Sequence, residues 1–536
     1  MAKITLTMIV KNEAERLPGA LASAAGAVDR IVVVDTGSSD DTIAIARAAG
    51  ALVIEHPFVD FADARNAALP HVETPWMLSL DADERLAPGA GAALRAAIDA
   101  GDFDCGMLPY HTAETADATV EDVLSGAAAR SEPVLIARLF RMGPGFRWED
   151  AAHETPRTWL ATPGRRFRDL DAAIVHYGGT ADMIAVRGKN ERNLRLLRQR
   201  VTASPRDIFG QIYLARELIR AGDSHAARAA LDAAWGVVSS EPSQRAELAT
   251  LATMRAWDQI QREDEQAAMK TLGAVAQWGT VHPNMFLLQG IALENLSAKL
   301  PAPHDTMALR KAVEVFGMCR EFAGSRFTEE VIAGATGWSA DIRQGACLLA
   351  LGEADAARPC FARAIEKKPD LEEARLGLAE SLLASDPDAA LRVLAPIQAS
   401  AGVDGWLLSA AAHEVRGALR EMGRCLLEAV QHVREGFRAN HRRALLDELV
   451  ALLGIIQGEP RPGRGAMGTL AGLMAGYPPS AGGPHPAPAG SDNARRLGYA
   501  LAFLRAGGEV TLLAALAEPP AEALFPGIGV LLAEAQ

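Results

Sequence analysis

The stretch MLSLDADERL, residues 77–86, decides the fold class of this chain. Its apolar start is typical of a buried strand, and the strand runs directly into the acids Asp81, Asp83 and Glu84. Carboxylates at this point either belong to a solvated loop or hold a cation against a phosphorylated ligand. The segments on either side of the stretch favour the second reading.

Strand-like and helix-like segments alternate around this stretch. Apolar runs at 4–10, 30–36 and 52–56 predict three further strands, and the segments between them predict helices. Elements that alternate at this spacing predict a mostly parallel, Rossmann-like α/β sheet with both faces covered. Ligands of such sheets bind beyond the carboxyl ends of the strands.

Polar residues fall at three of these strand ends. They are Lys11, Asn12 and Glu13 after the first strand, Asp35 and Thr36 at the end of the second, and Asp81 and Asp83 after the fourth. Because the carboxyl ends of parallel strands share one edge, these groups are expected to form a single rim.

Composition narrows the classes of protein to consider. A length of 536 residues suggests about three to four domains, and 49% apolar with 23% charged residues is typical of a protein with sizeable cores. The net charge of -13 argues against a nucleic-acid partner. The five cysteines show no paired short spacing, so they predict free thiols rather than a zinc site or disulfides.

The amino terminus lacks the long apolar core of a signal peptide. No apolar run reaches the ~18 residues needed to cross a bilayer, so we expect no transmembrane segment. These features predict a cytoplasmic enzyme or binding protein.

Four motifs carry a resemblance to a known family. They are MIVKNEAERL (8–17), IVVVDTGSSDDT (31–42), FADARNAAL (61–69) and MLSLDADERL. In this order they resemble the family 2 glycosyltransferases, nucleotide-sugar enzymes of the GT-A fold, and in particular bacterial members with attached tetratricopeptide (TPR) repeats. The resemblance covers residues 1 to about 190, and four ordered motifs are far more specific than an isolated Asp-x-Asp.

The resemblance implies roles for the acids at the rim. Mg²⁺ or Mn²⁺ would bridge the diphosphate of the donor and stabilise the charge that develops on it. Asp83 would coordinate this metal, Asp81 would lie at the ribose or the metal, and Asp35 would contact the base or the ribose.

Four further residues are candidates for binding the nucleotide sugar. Arg65 and Asn66 would reach the nucleotide or its diphosphate, since an arginine fork suits phosphate oxygens. For Arg65 the alternative is a surface ion pair on a helix. Asn12 and Glu13 either contact the donor or cap the helix after the first strand.

The segment FRWEDAAHETP, residues 146–156, supplies candidates for the acceptor side. An inverting transferase needs a general base that removes the acceptor proton. Asp150 and Glu154 are both candidates, and the resemblance of the His-Glu pair to related enzymes favours Glu154. His153 would orient the base or touch the diphosphate. The alternative is a loop that is merely polar.

His176 ends the predicted strand in AAIVHYGGT, residues 172–180. Related enzymes often have a histidine near this point, and imidazole is suited to a third metal ligand or a phosphate donor. The alternative is a structural histidine.

Helical periodicity replaces strand signals from about residue 205. The segment 345–384 has small, aromatic and proline residues at TPR spacings, and such helix pairs typically offer a curved binding surface. We therefore predict a GT-A domain at 1–200, followed by an all-α, TPR-like helical-repeat region at 205–455. A Gly/Pro-rich flexible segment would follow at 458–490, and a small segment of unknown role at 491–536.

Together these features predict a metal-dependent, inverting glycosyltransferase of the hexosyltransferase type. The donor would be a UDP- or GDP-type sugar, and the acceptor a protein, peptide or cell-surface glycan recruited in part by the repeats. One rival is a catalytically inactive repeat scaffold that binds a nucleotide or glycan. A second is a sugar nucleotidyltransferase, which the absence of a Gly-rich basic loop near the amino terminus disfavours.

Overall fold

The computed structural model describes residues 2–178, 189–241 and 247–432, together with 442, 445–446 and 449–450. The predicted segments 458–490 and 491–536 lie outside these residues. Contacts divide the chain into two compact units, one of Met1–Leu300 with Val315–Ala340 and the other of Pro301–Glu314 with Asp341–Gln536. The domain boundary near 200–205 remains a prediction.

A nine-stranded sheet forms the amino-terminal part of the first unit. Its strands are β1 (Ile4–Val10), β2 (Arg30–Asp35), β3 (Leu52–Glu55), β4 (Trp76–Ser79), β5 (Glu84–Leu86), β6 (Cys105–Thr112), β7 (Val134–Arg141), β8 (Phe167–Asp169) and β9 (Ile174–His176). They lie in the order β3-β2-β1-β4-β7-β6-β9-β5, with β8 paired to β6.

The sheet has a parallel and a mixed half. Strands β3, β2, β1 and β4 are parallel neighbours, as their apolar runs predict. Strand β7 pairs antiparallel to both β4 and β6, and β5 pairs antiparallel to β9. The α/β class is confirmed, and the antiparallel strands bring later segments of the chain beside the rim of the parallel half.

Strand register brings the predicted polar residues to one edge. Val10 lies opposite Asp35, and Thr7 lies opposite Ser79, so β1, β2 and β4 end close to the same level. Leu80 continues β4 by donating its backbone N–H to Thr7 O at 3.3 Å. The residues that follow these strands therefore emerge at the same rim.

Short helices cover the sheet. They are Leu17–Ala24, Thr42–Ala48, Phe61–Ala68, Ala90–Ala100, Val120–Ser125 and Arg157–Leu160. The first of them buries Leu17, Ala20, Leu21 and Ala24, a spacing that places one face of the helix against the sheet. Strand residues such as Leu6, which is fully buried, complete this core.

Helices alone make up the described chain after β9. In the first unit they are Lys189–Ala203, Ile208–Arg220, Ser224–Ser240, Leu248–Gln261, Glu265–Gln277 and Pro283–Ser297. Two helices, His304–Met318 and Trp338–Ala350, contain residues of both units. In the second unit they are Ala354–Lys367, Glu372–Leu382, Pro387–Leu394, Gly402–Val415 and Leu419–His432. None of the helices described is long and apolar enough to cross a membrane.

Phe361 explains why small residues recur in the second unit. Its ring is buried, and glycines of the two neighbouring helices, Gly345 and Gly377, face it directly. A Cβ at Gly345 would lie 2.7 Å from the ring, so each glycine allows close packing that a larger residue would prevent. This is the packing predicted for 345–384.

We expect Gly377→Ala to destabilise the protein by about 1–3 kcal/mol, because the added methyl group would overlap the Phe361 ring. Gly273→Ala is the matched control, since that helical position has open space. There alanine should stabilise by roughly 0.8–1 kcal/mol. Urea unfolding of both variants tests this, and equal effects of the two substitutions would contradict the packing account.

Candidate active site

Arg65 is the centre of a buried network at the rim. Its helix begins at Phe61, where the Asp60 side chain accepts a hydrogen bond from Asp63 N at 2.8 Å. Arg65 donates from Nη1 to Ser79 Oγ at 2.9 Å and from Nη2 to Asp81 Oδ1 at 2.7 Å. Its Nε donates to the carboxylate of Glu154. One guanidinium thus joins residues 61–69, β4 and the segment 146–156.

Asp81 lies between two arginines. Arg138 Nη2, from β7, is 3.5 Å from Asp81 Oδ2, on the side opposite Arg65. Burial alone would raise the pKa of Asp81, but the charges of Arg65 and Arg138 outweigh burial and hold that pKa well below its usual range. Asp81 is therefore ionised and held in place from both sides.

Glu84 completes this network beneath the rim. It is fully buried, its carboxylate accepts a hydrogen bond from Arg138, and its Oε2 accepts one from Asp81 N at 3.0 Å. Burial and the nearby charges of Asp81 and Asp83 raise the pKa of Glu84 to about 7, although Arg138 opposes this. Neither Glu84 nor Arg138 is among the site residues predicted from the sequence. The sequence feature that could have indicated a role for Arg138 is its charge inside the apolar run VLIARLFR.

Asp83 and His176 lie side by side. The register of β5 and β9 places His176 opposite Glu84, and His176 Nε2 is 3.9 Å from Asp83 Oδ1. Tyr177 N donates to Asp83 O at 2.9 Å. A methyl group at Gly178 would overlap the Asp83 carboxylate and lie 2.5 Å from His176 Nε2. Glycine at this position keeps the space beside both side chains open.

Asp35, Asn12 and Glu13 form a second group, at the ends of β1 and β2. Asp35 is buried, and its Oδ1 accepts hydrogen bonds from Gly37 N and Ser38 N, both at 2.9 Å. Its Oδ2 has no hydrogen-bond partner among the described residues. Asn12 Oδ1 accepts from Ser39 N at 2.8 Å, and Glu13 N donates to Thr42 Oγ1 at 2.8 Å. These bonds fix the two loops to each other.

Asn66 bonds to the backbone of Trp148. Its Nδ2 donates to Trp148 O and its Oδ1 accepts from Trp148 N, both at 2.9 Å. Both ends of the amide are therefore engaged in holding the segment 146–156 against the helix Phe61–Ala68. The Trp148 ring also lies 5.1 Å from the Arg65 guanidinium.

The loop from Glu149 to Thr155 is closed by reciprocal backbone hydrogen bonds of 3.0 and 3.1 Å between these two residues. Within it, Asp150 and His153 have positive φ angles of 77° and 56°. These left-handed conformations turn the chain so that the side chains of Asp150 and Glu154 diverge. Glu154 points to Arg65, whereas Asp150 pairs with Arg157 and with Arg200, whose Nη2 is 3.2 Å from Asp150 Oδ1.

His153 packs against the helix Ile208–Arg220. Its ring stacks on Tyr213 at 3.9 Å between centroids, and its Nε2 is buried without a hydrogen-bond partner among the described residues. Burial and the charges of Arg216, Arg220 and Arg200 lower the pKa of His153 to about 3. The predicted site residues thus fall into three groups, and His153 and Asp150 stand apart from the network around Arg65.

We expect His153 to make the protein less stable in acid. Its folded pKa lies below its ordinary value, so the unfolded state binds the extra proton and stability falls as pH drops from about 6.5 towards 3. In His153→Asn, which tolerates the positive φ, the loss of unfolding free energy between pH 6.5 and 4 should shrink by about 2–3 kcal/mol. Urea unfolding across this range measures it, and an unchanged pH slope would refute it.

Residues 5–129 match the family model described as glycosyl transferase family 2. Residues 5–129 therefore form a glycosyl transferase family 2 domain. The resemblance carried by the four motifs is thereby confirmed, and the residues of the Arg65 network up to Glu84 lie within the matched range.

Two relatives share parts of this architecture. A TPR repeat-containing protein of Synechococcus elongatus is 34% identical over 255 residues, which are 46% of this chain and 60% of that protein. An uncharacterized glycosyltransferase of Rickettsia felis is 42% identical over 86 residues, 16% of this chain and 30% of that protein. The chain therefore spans less than two thirds of either relative.

Two solved structures align with parts of the chain. A tetratricopeptide repeat protein from Parabacteroides merdae aligns with 55% of this chain and 98% of its own, at 15% identity and a TM-score of 0.36. Glucosyl-3-phosphoglycerate synthase from Mycobacterium tuberculosis, in complex with Mg²⁺ and UDP, aligns with 20% and 44%, at 21% identity and a TM-score of 0.19. These scores are too low to support a conclusion about function.

Proposed function

We propose that this protein is a metal-dependent, inverting glycosyltransferase that moves a sugar from a nucleoside-diphosphate donor to an acceptor. The observation that carries the proposal is the pairing of Asp83 with His176 beside the Arg65–Asp81–Glu154 network. A candidate metal-binding pair, an ionised acid and a candidate base would thus lie together at the carboxyl end of β4.

In this proposal the group around Asp35 receives the nucleoside. Asp35 Oδ2 accepts no hydrogen bond from the described residues, so it could accept one from a base N–H or a ribose hydroxyl. Asn12 and Glu13 would bind the donor through the loop that they hold together. Asn66 would act by positioning the segment 146–156, since its amide is already engaged with Trp148.

Asp83 and His176 would hold Mg²⁺ or Mn²⁺. Carboxylate oxygen and imidazole nitrogen are suitable ligands, and Gly178 leaves room next to both. No third His, Cys, Asp or Glu completes a cage in the part of the chain that the structure describes. Donor phosphates and water would fill the remaining positions, as is usual for Mg²⁺. The metal would offset charge developing on the leaving diphosphate. Asp81, held between two arginines, would bind ribose or orient Asp83.

Glu154 is the proposed general base. Its carboxylate belongs to the same network as Asp81 and accepts a hydrogen bond from Arg65 Nε. Asp150 is the weaker candidate, because Arg157 and Arg200 occupy its carboxylate on the far side of the loop. His153 would position Glu154 through its contact with Tyr213.

The helical repeats would help to recruit the acceptor, a protein, a peptide or a glycan, by offering an extended surface. All five cysteines are buried and none of them forms a disulfide, which supports a cytoplasmic location. The sugar and the nucleoside would be of the UDP or GDP type.

Calorimetric titration of UDP and GDP, each with and without Mn²⁺, tests this proposal on the intact protein. We expect one nucleotide to bind in a metal-dependent manner, and Asp83→Ala to abolish this dependence. Asp102→Asn, an exposed acid paired with Arg168, is the control and should bind as the wild type does. If no nucleotide binds in the presence of metal, the catalytic proposal fails and the inactive scaffold becomes the better account.

A further inference from the structure

A cavity lies beside the candidate site. Its volume is about 870 Å³, and its lining includes Arg16, Leu86, Arg95 and Tyr177 together with Arg85. We call this cavity the Arg85 groove. Tyr177 links the Arg85 groove to the proposed metal-binding pair of Asp83 and His176, because the Tyr177 backbone N–H donates to Asp83 O at 2.9 Å.

Arg85 is a half-buried cation whose hydrogen bonds go to neutral groups. Its Nη1 donates to Ala82 O at 3.1 Å and Glu84 O at 2.9 Å, and its Nη2 donates to Arg16 O at 3.0 Å. No carboxylate forms an ion pair with it among the described residues. Carbonyl oxygens accept hydrogen bonds from its Nη1 and Nη2 atoms but carry no charge that could compensate the guanidinium. An uncompensated charge is costly for a buried ion.

Arg16 adds a second cation to the same wall. Its Nη1 is buried without a hydrogen-bond partner in the described chain, and it forms an ion pair with Glu13 Oε2 at 3.8 Å, beyond hydrogen-bond distance. The acid in the groove lining, Glu15, is exposed to solvent.

Arg95 is an arginine of the same groove whose charge is balanced by a carboxylate. It lines the same cavity, but its Nη1 is 2.7 Å from Asp29 Oδ2. Arg65 and Arg138 are likewise paired with carboxylates. Arg85 has no carboxylate partner among the described residues, and the ion pair of Arg16 with Glu13 is long at 3.8 Å. Both therefore differ from the other arginines nearby, and an anionic ligand would balance the remaining charge.

Two arginine forks on one wall favour a ligand with two negative charges. Phosphate carries about -1.5 to -2 at pH 7 and offers several acceptor oxygens, whereas a carboxylate carries only one charge. The donor diphosphate has its proposed place on the Asp83 side of the rim. We propose that the Arg85 groove binds a phosphate group of the acceptor. This assignment rests on the proposed function, because it presumes that the donor occupies the neighbouring site.

Inorganic phosphate is the probe for this proposal, with binding followed by ³¹P NMR line widths on the full chain. We expect Arg85→Gln and Arg16→Gln each to weaken phosphate binding about tenfold, which is the loss of one charged hydrogen bond. Arg95→Gln should bind within about twofold of the wild type, because Asp29 already balances that charge. Circular dichroism verifies folding, and Arg16→Gln carries the test if Arg85→Gln does not fold.

A second titration separates this inference from the proposed function. Phosphate should still bind when UDP and Mg²⁺ are saturating, because the two sites are distinct. Displacement of phosphate by UDP would place the ion in the donor site and overturn the proposal, as would equal affinity of the wild type and both arginine variants. Arg85-dependent phosphate binding without any nucleotide binding would leave an anion site but refute its assignment to an acceptor.

Discussion

Asp83→Asn is expected to lower the rate of sugar transfer by about a thousandfold. Loss of one carboxylate charge removes the strongest proposed metal ligand and the Lewis-acid stabilisation that depends on it, which is typically worth several kcal/mol. The side chain keeps its shape, so the contacts of Gly178 and Tyr177 with this segment remain. Turnover of the donor that binds in the calorimetric screen is the measurement.

Metal dependence distinguishes this effect from misfolding. In Asp83→Asn, raising the Mn²⁺ concentration should recover part of the lost activity, and thermal unfolding should match that of the wild type. Asp102→Asn, which removes an exposed acid of the same type, should transfer sugar at the wild-type rate. Full activity in Asp83→Asn would remove this residue from the site.

Glu154→Gln is expected to lower kcat by about 10²- to 10⁴-fold, the range typical for loss of a general base. The amide keeps the size of the side chain but cannot accept the acceptor proton. Because the donor is bound by other groups, its KM should change little. The chemical step therefore has to be measured under donor saturation.

Two further substitutions in the same loop sharpen this test. Glu149→Gln removes an acid that accepts hydrogen bonds from Thr158, away from Arg65, and should leave kcat within about twofold. Asp150→Asn tests the other candidate base. A larger loss of kcat in Asp150→Asn than in Glu154→Gln would reverse the assignment. A stability measurement is needed beside each rate, since Glu154→Gln also leaves buried Arg65 with one anionic partner fewer.

Apolar runs were sufficient to predict the parallel half of the sheet. The predicted strands at 4–10, 30–36 and 52–56 correspond to Ile4–Val10, Arg30–Asp35 and Leu52–Glu55. The short strands Glu84–Leu86 and Phe167–Asp169 were not predicted, because three residues are too few to show periodicity. Their pairing depends on neighbours distant in sequence.

Side-chain partners in the site were harder to predict than the positions of its acids. Strand ends identified Asp35, Asp81 and Asp83 from the sequence alone. Arg138 reaches Asp81 only because β7 runs antiparallel beside β4, which no local pattern specifies. Asp150 and Glu154 point apart because of backbone turns at Asp150 and His153, and a positive φ at a residue other than glycine leaves no clear pattern in the sequence.

The stacking of His153 on Tyr213 sets a limit on how this protein can be shortened. Arg200 makes a second contact with the same loop, since its Nη1 donates a hydrogen bond to Ala152 O at 3.2 Å. A fragment cut where the strands give way to helices would lose Tyr213, expose one face of His153 and release the loop that carries Glu154. We therefore expect a fragment to hold the loop that carries Glu154 in place only if the fragment extends beyond the helix Ile208–Arg220.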